Sequence, residues 1–539
     1  MLRKITAFSL LLFFSLPAFA MADLNEQKLE NHLLGQKLQL TLKDGEKWWG
    51  GFTTDGKLMP FGSGPLSRDL YGNNQGNQAQ PLLISNMGRF VWSDHPFKYT
   101  FADGKLNLES EHGDIIAGRS GKTLREVFLY VSERFFPSNG KIPDPILFTN
   151  PQYNTWIELM YDQREDKIRK YANDIIKNGF PPGVLMIDDN WQEDYGNWDF
   201  HPGRFNKPKD MIDSFHAMGF KVMLWICPYI SPDMEISRFL ERKRYLLRQD
   251  KWSIYICKWW NGYSSVIDLT NPGAVNWFKG RLDYLRQTYG VDGFKFDGAD
   301  TPHYKPNIIA AEKATPNRNT ELWALLGTHY PLNEYRACWK AAGLPLAQRL
   351  RDKSHSWSDL QRLMPDALAL GLMGYAYVCP DLIGGGEFGS FLGPNAQIDE
   401  ELIVRYAQCS ALMPMMQFSV APWRVLNKKN QNICLQMAKL HMKMGDEILA
   451  LAKASSKTGE PIIRNLEYMY PHTGYENVKD QFMLGKDILV APLVEKDKKS
   501  RNVIFPEGTW LGDDGSQVTG PCQKQILVPI ERLPWYRLK

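Results

Sequence analysis

Hydrophobic and polar residues alternate in short runs along the first quarter of the chain, as in Leu38-Gln-Leu-Thr-Leu, Gly88-Arg-Phe-Val-Trp, Leu106-Asn-Leu and Val127-Phe-Leu-Tyr-Val, with Asn, Asp and Gly between them. A period of two with turn-forming punctuation predicts antiparallel strands, and their number predicts an N-terminal β-sandwich domain over residues 23–144. Ser138-Asn-Gly-Lys-Ile-Pro-Asp-Pro then interrupts any regular element and reads as a linker. Beyond it the rhythm changes. Apolar runs at 145–149, 184–188, 221–226, 294–297, 345–348 and 375–378 alternate with helical-period segments such as 161–177, 209–218 and 274–289. Repeated strand–helix units over about 300 residues predict an α/β catalytic domain at 145–445, a closed (β/α)8 TIM barrel. A doubly wound open sheet is the alternative, but no Gly-rich phosphate loop follows any early strand. Period-two runs return in Gln481-Phe-Met-Leu-Gly and Asp487-Ile-Leu-Val-Ala-Pro, which predicts a C-terminal β-sandwich domain over 446–539.

Residues 1–22 read as an address. Arg3 and Lys4 precede an apolar run at 5–14, and Ala18-Phe-Ala20 places small residues where a signal peptidase reads them. The expectation is export, to the periplasm or beyond. The run is too short to span a bilayer and no second one of membrane length follows, so no membrane anchor is expected. A net charge of +4 spread without a Lys/Arg block argues against a nucleic-acid partner. Seven cysteines form no CxxC or Cys/His spacing, so a structural zinc site is not expected, and the odd count argues against a full disulfide framework. The 17 Trp and 23 Tyr suit sugar rings, although core packing accounts for most of them. Oligomeric state leaves no mark on the pattern.

The richest candidate chemistry lies in Gly290-Val-Asp-Gly-Phe-Lys-Phe-Asp-Gly-Ala-Asp300. Alternation up to Asp297, followed by two small residues, predicts a buried strand that delivers a carboxylate to an open turn. Lys295 points to the same side of the strand and would keep Asp297 ionised, as a nucleophile requires. A lone strand-end Asp is more often a helix cap. Other predicted strands also end in acids, at Asp188-Asp189 and Asp381, and strand C-termini of a barrel converge on one mouth.

The order Ile187-Asp-Asp-Asn-Trp-Gln, Asn197-Trp-Asp-Phe, Gly219-Phe-Lys-Val-Met-Leu-Trp, Phe294-Lys-Phe-Asp, the stretch 352–357 and Pro380-Asp-Leu-Ile-Gly-Gly resembles glycoside hydrolase family 31. Within it, Arg351-Asp-Lys-Ser-His-Ser-Trp and Met416-Gln-Phe-Ser-Val-Ala-Pro-Trp-Arg look most like the branch containing the myogenesis-regulating glycosidase, whose members act on α-galactosides. Where that branch's nucleophile motif ends in Gly-Glu, this chain has Ala299-Asp300. The resemblance implies a retaining, exo-acting α-glycosidase that needs no cofactor and takes an oligosaccharide or glycoside. It implies two catalytic carboxyls, roughly 5–5.5 Å apart in such enzymes, with Asp297 as nucleophile and Asp352 as acid/base. By the same resemblance the sugar is held by Trp156, Asp188, Asp189, Trp260, Lys295, Arg336 and Asp381, Arg336 standing sixteen residues before Asp352. Arg336 and Lys353 are the cations expected beside Asp352, and His201, His303 and His355 read as structural. Galactose is the expected glycone. Glucosides, xylosides, sulfoquinovosides and N-acetylgalactosaminides are the family's alternatives, transglycosylation is an alternative to hydrolysis, and a non-catalytic sugar-binding protein stays open on the same fold.

Overall fold

In the computed structural model, which describes residues 33–393 and 396–539, eight short strands run parallel around a barrel. They are β1 (Gln152–Asn154), β2 (Val184–Ile187), β3 (Lys221–Ile226), β4 (Gly293–Phe296), β5 (Asn333–Tyr335), β6 (Gln348–Arg349), β7 (Val378–Cys379) and β8 (Gln417–Phe418). Neighbours pair in chain order from β1 to β7, and β8 returns to β1 with Gln152 opposite Gln417. The ring is open only between β7 and β8, where the Ile383 N–H reaches Gln417 O at 2.9 Å. The segment read as a signal peptide lies outside the described residues.

Two runs read as strands are helices. Residues 127–131 belong to the helix Leu124–Phe135, whose first turn carries a capping box: Thr123 Oγ1 accepts from Glu126 N, and Glu126 accepts from Thr123 N. Its buried residues, Leu124, Val127, Phe128 and Val131, fall at helical spacing that a five-residue window cannot separate from alternation. Residues 146–149 form a short helix started by Asp144, which accepts from Ile146 N at 3.0 Å. The first barrel strand is therefore the polar triplet Gln152–Asn154, which carries no apolar signal. β-texture was expected from residue 446, yet it begins only at Ile463, because Lys428–Thr458 is one 31-residue helix with Ile433, Met437, His441, Met444, Ile448 and Ala452 buried along one face.

The N-terminal domain is a sandwich of a six-stranded and a four-stranded sheet around Trp48, Leu82, Phe90, Trp92, Tyr99 and Leu106. Barrel and sandwich are joined through a shared strand: Cys338–Trp339, from the loop after β5, adds in parallel to Gln78–Ser85. The C-terminal β domain is a six-stranded antiparallel sheet with its own core of Met483, Leu489, Phe505, Trp510 and Tyr536. No helix among the described residues is long and apolar enough to cross a membrane.

The barrel interior is polar where it approaches the mouth. Strand register sets Trp225, Lys295 and Glu334 side by side across β3, β4 and β5. Below them Gln417 donates to Glu334 at 2.6 Å and to Gln152 at 2.8 Å. Buried charge of this kind persists only with partners, and these strands supply them.

Candidate active site

A cavity of about 590 Å³ opens at the C-terminal ends of the strands. Trp156, Asp188, Asp189, Trp260, Lys295, Asp297, Arg336 and Asp352 all line it, so eight of the nine residues expected from the sequence meet in one place. Asp381 does not. It is fully buried behind Asp352, where its carboxylate accepts from Lys353 N at 2.5 Å, Gly386 N at 2.9 Å and Arg349 at 2.9 Å.

Asp297 follows β4 directly. Its Oδ1 accepts from Arg336 Nε and Gly298 N, both at 2.8 Å, and its Oδ2 accepts from Trp225 Nε1 at 3.0 Å. Lys295 Nζ stands 4.0 Å away and is hydrogen-bonded instead to Asp188 at 2.8 Å. Burial alone would push the Asp297 carboxyl up. Arg336 first, then Lys295 and Arg349, outweigh it and hold the group well below the usual carboxylate range. The backbone beyond Asp297 is unusual: Ala299 adopts φ 57°, held by Tyr229 OH, which accepts from its N–H, and by Thr320, which donates to its carbonyl. A non-glycine residue in the left-handed region beside a buried acid is the kind of strain that functional turns retain.

Asp352 faces the same cavity from the loop after β6, with its side chain 39% exposed. Its protein partner is Arg349, whose Nη1 donates to Oδ1 at 2.7 Å. The sequence singled out Lys353 for that place, but Lys353 turns inward to pair with buried Asp366. Arg349 was missed, since an arginine within a two-residue buried strand has no pattern to announce it.

Asp188 and Asp189 directly follow β2, and their surroundings differ. Asp188 accepts from Lys295 and from Asp189 N. Asp189 accepts from Asn190 N, Gln192, Tyr195 and Asn261, and burial nevertheless pushes its carboxyl up to about 7. Trp156 donates from Nε1 to Gly386 O at 3.1 Å and packs edge-on against Phe388 and Tyr161. Trp260 is half exposed, with the Arg336 guanidinium 5.4 Å from its ring centre. His303 also lines the cavity and hydrogen-bonds Tyr229 OH, and His355 is held between Gly384 O and Asp399 N.

The sandwich domain contributes too, which no sequence argument anticipated. Gly76 O accepts from Arg336 at 2.7 Å, and Asn77 bonds the backbones of Arg336, Arg349 and Arg351. Among the described residues, no group of three or more His, Cys, Asp and Glu side chains is arranged to hold a metal ion.

A model of the glycosyl hydrolases family 31 TIM-barrel domain matches residues 152–448, and a model of the family's C-terminal domain matches 459–537. The chain belongs to glycosyl hydrolase family 31. It is 30% identical over 412 residues to the myogenesis-regulating glycosidase of Mus musculus, covering 73% of this chain and 57% of that protein. It is 23% identical over 499 residues to alpha-glucosidase 2 of Bacillus thermoamyloliquefaciens, covering 82% and 61%. The chain thus spans less than two thirds of the length of either relative. A family 31 dextranase from Flavobacterium johnsoniae, solved in complex with glucose, superposes with a TM-score of 0.83 over 93% of this chain and 66% of that one; at 20% identity that likeness concerns the fold.

Proposed function

We propose that the protein is an exported, retaining, exo-acting α-glycosidase that hydrolyses terminal α-galactosides by double displacement. The observation that carries this reading is the pairing of two unlike carboxyls on one cavity. Asp297 is buried among cations that keep it ionised, as a nucleophile must be, whereas Asp352 is half exposed at the mouth where a leaving oxygen departs. In the first step Asp297 attacks the anomeric carbon and Asp352 gives its proton to the leaving oxygen. In the second, Asp352 takes a proton from water, which attacks the same carbon and releases Asp297. Two carboxyls suffice for this chemistry, so the reading includes no metal or organic cofactor.

Asp188 and Lys295 supply an acceptor and a donor to a sugar diol, with the ring against Trp156 or Trp260. The galactose assignment rests on the resemblance of residues 351–357 and 416–424 to the α-galactoside-cleaving branch. Galactose and glucose differ only at C4, and a pocket built for one hydroxyl orientation leaves buried polar groups unpaired with the other.

The test is a panel of natural α-linked disaccharides and aryl α-glycosides, with kcat/KM for each and an NMR time course of the released anomer. The expected result is highest kcat/KM on an α-galactoside and the α-anomer first. Early β-anomer would remove the double displacement, and preference for an α-glucoside would remove galactose. Saturable binding without turnover would point to a sugar-binding protein, and dominant transfer at high acceptor concentration to transglycosylation. Export is tested by the N-terminus of the mature chain, expected between residues 21 and 23.

A further inference from the structure

One carboxyl in the network has no part in the chemistry above. Asp381 is fully buried and off the cavity wall, yet its Oδ1 and that of Asp352 accept from the same nitrogen, Arg349 Nη1, at 2.9 and 2.7 Å. Arg349 is itself buried, and its Nε lies 3.3 Å from Glu334. A Cβ added at Gly386 would sit 2.7 Å from Asp381 Oδ1 and 2.9 Å from Asp352 Oδ1, so no side chain separates the two acids. We propose that Arg349 and Asp381 are positioning residues for Asp352: the shared guanidinium nitrogen fixes the orientation of the acid/base and ties its charge to that of Asp381. This rests on the reading of Asp352 as acid/base.

The arrangement meets two opposite demands on one residue. Before glycosylation Asp352 must hold a proton, and the shared nitrogen sets its Oδ1 beside a second carboxyl. After glycosylation Asp352 is an anion, and Arg349 Nη1 already points at its Oδ1. Other charged groups around Asp352 are Asp297 and Arg336 across the cavity, Arg351 on its own loop and Glu387 on the loop after β7. Lys353, the remaining neighbour, is committed to Asp366. Burial, opposed by Arg349 and reinforced by Asp352, pushes Asp381 up to about 7, so its charge changes where such an enzyme would work.

The experiment compares wild type, D381N and G386A in kcat/KM against pH, on a natural disaccharide and on an activated aryl glycoside that needs little protonation. For D381N the basic limb on the natural substrate is expected to move to lower pH by about one unit, since a like-charged neighbour is gone. G386A changes no charge and wedges the acids apart, so it keeps the test available should D381N not fold. It is expected to lower kcat/KM about tenfold or more on the natural substrate and less than about threefold on the aryl one. A D381N profile superimposable on wild type after scaling, or equal losses on both substrates in G386A, would overturn the proposal while leaving the function intact. A wild type inactive on every α-glycoside would overturn both.

Discussion

Arg336 bridges Asp297 and Asp300: its Nε donates to the first at 2.8 Å, and its Nη atoms donate to the two oxygens of the second at 2.9 and 2.6 Å. The shorter acid at 300 thus makes the fork that aims the guanidinium at Asp297. Arg336→Met removes the strongest influence lowering the Asp297 proton affinity, so the acid limb of kcat/KM is expected to rise by at least about one pH unit. Asp300→Ala leaves the positive charge but not its aim, and should cut kcat about 10–100-fold without raising that limb. Because the native value of Asp297 lies below the unfolded one, its ionisation favours the folded state above about pH 4, and this is lost as pH falls further. The stability gap between wild type and Arg336→Met should therefore narrow from pH 5 to pH 2 in urea titrations. An acid limb unmoved in Arg336→Met would refute the electrostatic role.

Asp297 and Asp352 separate kinetically. Asp297→Ala should abolish both chemical steps. Asp352→Ala should retain the first step on aryl glycosides with good leaving groups and stall in the second, giving a burst of aryl alcohol and a trapped glycosyl-enzyme visible by mass spectrometry. Equal loss on aryl and natural substrates, with both variants folded, would remove Asp352 from the acid/base role.

Asp297 was legible because a period-two strand ending in Asp-Gly is local information, and the strand-end acids 188 and 189 were legible for the same reason. Arg349 was not: its strand is two residues long, and its importance comes from Asp352 and Asp381 meeting on one nitrogen, a long-range fact. Asp381 reads like the other strand-end acids in sequence, and only the turn to Gly386 places it behind the wall. Gly76 and Asn77 belong to a different domain, joined to the barrel through the pairing of Cys338–Trp339 with Gln78–Ser85, and nothing near them in the chain hints at a guanidinium. The misread helix Leu124–Phe135 shows the converse limit, since its capping box was present in the sequence but five alternating residues outweighed it.

The sandwich domain also fixes the helix behind Asp352. A Cβ at Gly56 would overlap Pro365 O and lie 2.6 Å from Asp366 N, in the helix Trp357–Leu372, and Asp366 holds Lys353. Gly56 has φ −51°, so space and not backbone conformation demands glycine there. Gly56→Ala is expected to destabilise by about 1–3 kcal/mol through overpacking. Gly280→Ala, in the helix Pro272–Tyr289 with nothing within 4 Å of the added carbon, should stabilise by about 0.5–1 kcal/mol. Thermal and urea denaturation of the two would show the opposite signs, and a neutral Gly56→Ala would mean that the sandwich yields at this contact.

The tip of the hairpin Ile256–Trp259 to Gly262–Val266 carries Trp260 into the site and sets Asn261 against Asp189. Asn261 Nδ2 donates to Asp189 Oδ2 and to Tyr195 OH, both at 2.7 Å, and its Oδ1 accepts from Tyr161 OH at 2.8 Å. Asn261→Ala removes these bonds from the tip, so Trp260 should loosen and KM rise several-fold, with kcat less affected and Tm nearly unchanged. Asn261→Asp differs in a way that pH reveals. It replaces the amide donor with a second carboxyl beside Asp189, whose own carboxyl titrates at about 7 because of burial. Below that pH Asp189 can hold a proton and donate it to the new carboxylate, so the tip stays latched. Above it two anions face each other and repel. The KM of Asn261→Asp should therefore approach that of wild type near pH 5 and exceed that of Asn261→Ala near pH 8, whereas Asn261→Ala should keep a constant ratio to wild type. Parallel profiles for the two variants would show that Asp189 stays ionised throughout and that the latch is not charge-dependent.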